Sequence, residues 1–396
     1  MSASRSSPNR RAADEGFRLS VWRAYGASRG EASELLSYAA SPLHQEPAPA
    51  HVYPLSDPPC IAAWAGYAAE AAEHGALGVL RRAFVQLRFP IRPGMSEDEA
   101  YRAATRRGVQ EGGDGEGVRF VEPDGLRIFL HPTAAGRVPA IVAGARPDFE
   151  SLVQAITHRN EPTPVPASMG ACLVAGYNNW DRVATLHRDF VRRHPEDWTG
   201  EGWAAAFRDL LPRKELYQDR FILLSSGPYS ATPAEAIGLS EDKWRSLSVR
   251  LRLEHECTHY VTRQAFGTMR KSLLDELVAD YLGIVEAFGT FRAALFLRFM
   301  GLEAFPRYRE GGRLQNYRGL PPLSDGSFSV LQPVVRRAAE TLERLDLCAR
   351  LHPMGALEKG RVIFALTRVG LEGLASVEAK DRVETALDEA AVPEHT

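Results

Sequence analysis

The chain has 396 residues, enough for two or three domains and a sizeable core. Apolar residues make up 44% and charged residues 25%, as in ordinary globular proteins. The net charge of −2 gives no basic field for nucleic acid or an anionic membrane surface, and no run of about 18 uncharged apolar residues offers a membrane span.

Basic charge is carried almost wholly by Arg, which reads as the coding bias of a GC-rich bacterial genome. Cys60, Cys172, Cys257 and Cys348 are scattered without C-x-x-C spacing, so neither a disulfide framework nor a cysteine zinc site is indicated. The N-terminus lacks an apolar leader, and the expected compartment is the cytoplasm.

In chain order, the polar residues 1–16 read as a disordered tail and residues 17–40 as one helix. The segment 41–59 carries Pro at six positions and reads as a linker or irregular crossing. Cys60 to Phe89 is helical, broken near Gly75, and Ser96-Glu97-Asp98-Glu99 reads as a capping box opening a helix to Arg107. After a Gly-rich loop at 112–117, Val118–Val121 and Leu126–His131 alternate around Pro123-Asp124-Gly125 as a hairpin. Val138–Val142 adds a third strand, and Asp148 is expected to cap a helix through Thr157. The Pro-rich residues 161–168 end this N-terminal α/β region, 17–165.

Ala171–Ala175 reads as a strand, with helices following to Arg193 and over Gly202–Leu211. Phe221–Leu224 is a compact apolar strand, and Ser240 caps a long helix after it. Beyond Gly289 come an apolar helix to Met300, a loop rich in Arg, Gly and Tyr at 306–326, helices near 328–350 and 356–376, and a charged end expected to fray. The expected class is α+β: a mainly helical catalytic domain with a small β-sheet over 166–325, then a helical region over 326–396.

The long helix holds His255-Glu256-Cys257-Thr258-His259, an H-E-x-x-H signature. Histidines at i and i+4 stack on one helical face, close enough for both imidazoles to reach one ion. Glu256 points aside, placed to reach water at the metal. A second helix, capped by Ser272, has apolar ridges through Leu273, Leu277, Tyr281 and Leu274, Val278, Leu282. Its remaining face carries Glu276, Ala279, Asp280 and Gly283. Unpaired buried carboxylates cost several kcal/mol, about 3–5 when a partner is missing. A metal would offset this for Glu276, and a hydrogen bond to the outer N–H of a ligand histidine for Asp280.

H-E-x-x-H followed by E-x-x-x-D-x-x-G resembles the gluzincin, thermolysin-like metallopeptidases. The resemblance implies a zincin-like fold for 166–325 and one zinc ion per chain. It makes His255, His259 and Glu276 the ligands, Glu256 the general base toward a zinc-activated water, and Asp280 the support of a ligand histidine. Gly283 becomes the point where the two helices pack, and the substrate a peptide or protein. Such enzymes take an oxyanion-stabilising donor from a downstream Tyr or His. Tyr317 and Tyr308 lead here, before Arg318 and His352, though each tyrosine reads more readily as an ordinary loop residue. An edge strand also precedes the active-site helix in those enzymes. Phe221–Leu224, with Ser225, Ser226 and Gly227, is therefore either a substrate-pairing edge or a plain core strand.

Two polar clusters, His158-Arg159-Asn160-Glu161 and Asn178-Asn179-Trp180-Asp181-Arg182, suit turn and capping roles. Cys257, in mid-helix, suits packing. The alternative to a zinc hydrolase is a non-catalytic zinc-binding structural or interaction protein. A di-iron carboxylate centre is disfavoured because no second E-x-x-H is found.

Overall fold

The computed structural model describes residues 8–40, 54–109, 117–197, 200–266, 272–348, 351 and 355–390. Most of the 41–59 linker, most of the 112–117 loop, Gly267 and His352 lie outside them. The fold is α+β and mainly helical, with one small mixed sheet. The chain divides into two compact units, one of 1–55, 133–135 and 232–396, the other of 56–132 and 136–231. The stretch 166–325 runs through both.

Two helices open the first unit, α1 (Pro8–Ala24) and α2 (Arg29–Tyr38). Residues 8–16 are therefore helical rather than disordered tail, and 17–40 holds parts of two helices. The chain turns at Gly26 (φ 92°), and Ser28 and Glu31 form the capping box that starts α2. Tertiary contacts anchor the C-terminal half of α1. Trp22 is fully buried and shares Glu372 with Arg18, and the Tyr25 hydroxyl donates to the Ala375 carbonyl at 2.8 Å.

The second unit begins with α3 (Ile61–His74) and α4 (Ala76–Ala83), separated at Gly75, whose φ is 83°. Then come α5 (Glu99–Arg107), β1 (Arg127–Thr133), β2 (Gly136–Ala143) and α6 (Arg146–Thr157). The cap of α5 is Asp98, accepting from the Tyr101 amide at 3.0 Å, while Ser96 lies in a preceding 3-10 turn. Val118–Val121 is not a strand. Asp148 binds the amides of Val121 and Glu122 at 2.6 and 2.9 Å, so it fixes that segment instead of capping α6. Pro123–Gly125 is a 3-10 turn, and β1 is instead the neighbour of β2.

The unit continues through β3 (Ala171–Asn178), α7 (Trp180–Arg193), α8 (Glu201–Leu210) and β4 (Gln218–Ser225). The sheet order is β1-β2-β4-β3, so its strands come from both sides of residue 165. β4 pairs in parallel with β2 and antiparallel with β3, where Gly176 (φ 77°) accommodates a bulge. Both ladders of β4 are thus in use, and Phe221 to Leu224 are 0% exposed. This is the core-strand outcome, with no free edge for a substrate strand. Ser226 donates to the Gly144 carbonyl, and Ser225 Oγ accepts from the Gly227 amide.

The two polar clusters are structural. Asn179 caps α7 and donates to buried Asp219, which also receives Trp64 and Arg182. Asn160 donates to the Gln86 and Phe89 carbonyls, and Glu161 accepts the Gly94 and Ser96 amides.

Returning to the first unit, the chain forms α9 (Glu241–Phe266), α10 (Leu273–Phe288), α11 (Ala293–Met300), α12 (Asp325–Leu347), α13 (Ala356–Ala375) and α14 (Ala379–Glu389). α14 is ordered by burial of Ala379, Val383 and Ala386, which replaces the expected frayed end as far as Glu389. No helix of the described residues is long and apolar enough to cross a membrane.

Candidate metal centre

Ser240 opens α9, its hydroxyl accepting from the Lys243 amide at 3.4 Å and its carbonyl from the Trp244 amide. A Pro-free helix of 26 residues follows and carries His255 and His259 one turn apart, 6% and 8% exposed. Ser272 caps α10 through the Asp275 amide at 3.2 Å. Nearly all of α10 is buried, including Glu276 at 6% and Asp280 at 0% exposure.

The two helices meet at Gly283. A Cβ there would lie 2.7 Å from the Leu251 carbonyl oxygen and 3.2 Å from its Cδ2. The obstacle is backbone, which cannot rotate away. Gly283→Ala is expected to destabilise the protein by about 1–3 kcal/mol in chemical denaturation and to weaken metal binding by moving the ligands apart. Wild-type stability in that variant would mean that the helices have slack. A second tie is Lys359 of α13, whose ammonium sits 2.9 Å from Glu254 of α9 and 3.0 Å from Glu286 of α10.

This packing brings His255, His259 and Glu276 together as the one group among the described residues able to hold a metal ion. The two Nε2 atoms are 3.1 Å apart, and each is 3.6 Å from a Glu276 oxygen. Ligands at 2.0–2.1 Å on a tetrahedral ion stand about 3.3 Å from one another, so the three groups match a shared ion. Asp280 accepts from His255 Nδ1 at 2.8 Å, which turns Nε2 toward the cluster. His259 Nδ1 is buried without a hydrogen bond among the described residues. Its ring stands at 87° to that of His255.

Sequence reading missed Arg313. Its Nη2 lies 3.0 Å from both Glu276 Oε2 and Asp280 Oδ2. The loop 306–326 has four arginines, and nothing in its pattern separates Arg313 from the others. A 3-10 turn over Arg313–Tyr317 aims it. α2 braces this loop: the Tyr38 hydroxyl donates to the Tyr317 carbonyl at 2.6 Å, and Glu34 accepts the Ser324 amide and hydroxyl.

The two tyrosines part company. Tyr317 is brought near Glu276, its phenol pushed up by burial, a shift partly offset by Arg313. The Tyr308 hydroxyl is engaged within its own loop, donating to the Gly312 carbonyl at 2.7 Å and accepting from the Gln315 amide. Arg318 turns elsewhere, over the Phe328 ring and onto Asp325.

The electrostatics favour a cation. Burial opposes ionisation of Glu276, but the nearby His259, His255 and Arg313 hold the carboxyl well below the usual range. Burial likewise opposes ionisation of Asp280, outweighed by Arg313 and His255. Burial pulls His259 down, yet Glu276, Glu256 and Asp275 raise its proton affinity to about 9. Burial lifts Asp275 itself to about 6. A divalent ion would take the place of the imidazole protons beside Glu276 and Asp280, so metal binding there would release protons.

Glu256 remains partly exposed, with no hydrogen bond or ion pair among the described residues. Cys257 is buried and its thiol is pushed well above its ordinary value, chiefly by desolvation, which removes it as a nucleophile.

Fold and site together define a mainly helical α+β protein with a two-histidine, one-carboxylate cluster that could hold a metal. The chain belongs to the DUF7005 family, a family of unknown function whose model matches residues 20–378. No curated protein and no solved structure matches the chain.

Proposed function

We propose that the chain is a zinc-dependent hydrolase, a metallopeptidase that cleaves peptide bonds in peptide or protein substrates. The observation carrying this reading is the convergence of His255 Nε2, His259 Nε2 and Glu276 at 3.1–3.6 Å, beside an unengaged Glu256 on the same helix. His255, His259 and Glu276 would hold the ion. When bound, zinc supplies Lewis-acid polarisation of a carbonyl and acidification of water. Glu256 then takes the proton from water as the new C–O bond forms. It delivers that proton to the leaving nitrogen as the C–N bond breaks. Asp280 fixes the His255 ring, and Arg313 keeps both supporting carboxylates ionised. A cytoplasmic setting is part of the proposal, and the free thiols of all four cysteines accord with it.

The burial of all three ligands, with Arg313 and Tyr317 both beside Glu276, favours a second reading, a zinc site kept for structure alone. One experiment separates them. Purified protein is expected to hold one zinc per chain and to cleave a quenched fluorescent peptide library. 1,10-Phenanthroline is expected to abolish cleavage, and added zinc to restore it. Zinc without cleavage under any condition leaves the structural reading, and absence of zinc binding refutes both.

A further inference from the structure

Away from the metal cluster, the first unit contains a cavity of about 620 Å³ between the C-terminal end of α10, α11 and α12, lined also by Ala236 and Ile237 ahead of α9. That volume lies within the range of small-molecule sites, about 300–1,000 Å³. The walls combine an apolar body with an uneven charge distribution. Phe288, Phe305, Leu295, Leu297 and Leu302 supply the apolar surface.

The three carboxylates of the wall are already engaged. Glu303 is ion-paired with Arg309, and Glu340 with Arg336 at 2.8 Å. Glu343 accepts the Ala293 amide at 2.9 Å. The guanidiniums are not matched in the same way. Arg336 has Glu340 and also lies over the Phe305 ring. Arg292 rests 4.5 Å from the Phe288 ring centre and pairs with no carboxylate among the described residues. Arg298, half-buried at the wall, has no side-chain partner among them either. Two guanidiniums thus have no carboxylate partner among the described residues, against one carboxylate, Glu343, that is held by an amide alone, which leaves the wall with an excess of positive charge beside aromatic and aliphatic surface.

We infer that this cavity binds a small amphipathic anion, a carboxylate or phosphate monoester carrying an apolar body. The anionic head is taken by Arg298 and Arg292, and the body lies against Phe288, Leu295 and Phe305. Guanidinium groups suit such heads because they form paired charge-assisted hydrogen bonds with oxyanions. The inference requires neither zinc nor hydrolysis, so it stands or falls separately from the proposed activity.

Calorimetric titration of the full chain with decanoate, decyl phosphate and decanol tests it. The expected result is one site per chain for one or both anions, with decanol at least about tenfold weaker. The Arg292→Gln, Arg298→Gln double variant is expected to lose about tenfold or more in anion affinity, converging on the decanol value. Ala294→Trp, at an exposed wall position, fills the cavity and is expected to abolish binding while circular dichroism remains that of the wild type. Comparing the two anions tells a carboxylate site from a phosphate site. Equal binding of decanol and the anions, affinity unchanged in either variant, or no binding of either anion below about 1 mM overturns the inference.

Discussion

Glu256→Gln is expected to lower peptide hydrolysis by about 100- to 10,000-fold while leaving bound zinc at the wild-type level. The substitution keeps the size of the side chain and removes only its basicity. The Glu256 side chain makes no hydrogen bond or ion pair among the described residues, and it faces partly to solvent, unlike the three ligands. Fold and metal content should therefore be untouched, and the whole effect should fall on kcat. Metal analysis paired with kinetics on the same preparation checks it. Hydrolysis at the wild-type rate in Glu256→Gln would sink the general-base role, even with zinc in place.

The second large effect is expected from His255→Ala. This variant loses a ligand and, with it, the imidazole that lies 2.8 Å from a carboxylate that is 0% exposed, Asp280. Arg313 would remain beside Glu276 and Asp280, but the positive charge facing those buried carboxylates would fall. The expected outcome is a chain without zinc, less stable by about 3–5 kcal/mol in denaturant titration, the usual cost of breaking a buried ionic pair. Elemental analysis after dialysis reads the first quantity and chemical denaturation the second. One zinc per chain retained by His255→Ala would place the ion elsewhere.

The two predictions draw on different amounts of sequence information. H-E-x-x-H needs only helical periodicity to bring two imidazoles to one face. Glu276 and Asp280 needed only the apolar ridges of α10 to be marked as unusual. Gly283 was expected as a packing point through the gluzincin resemblance, and the Leu251 carbonyl lies 2.7 Å from where its Cβ would be. Arg313 was not legible. A guanidinium reaches its targets from a loop 33 residues beyond Asp280, and its position depends on a 3-10 turn braced by α2, nearly 300 residues away in sequence. Tyr308 and Tyr317 looked equivalent in composition and spacing. Only the path of that loop brings Tyr317 near Glu276 and gives the Tyr308 hydroxyl to Gly312.

The same division runs through the fold. The sequence by itself determined the helical majority, the start of α9 at Ser240, the cap of α10 at Ser272 and the acidic face of α10, because capping and period are local properties of the chain. Tertiary structure decided that β4 lies inside the sheet, since strand order depends on which partners bury the apolar faces of Phe221–Leu224. It decided where the second half of α1 docks, because Trp22, Arg18 and Glu372 come together only in the folded chain. It also supplied the charge beside the metal cluster, because burial and distance, not residue type, set how strongly Arg313 acts on Glu276 and Asp280.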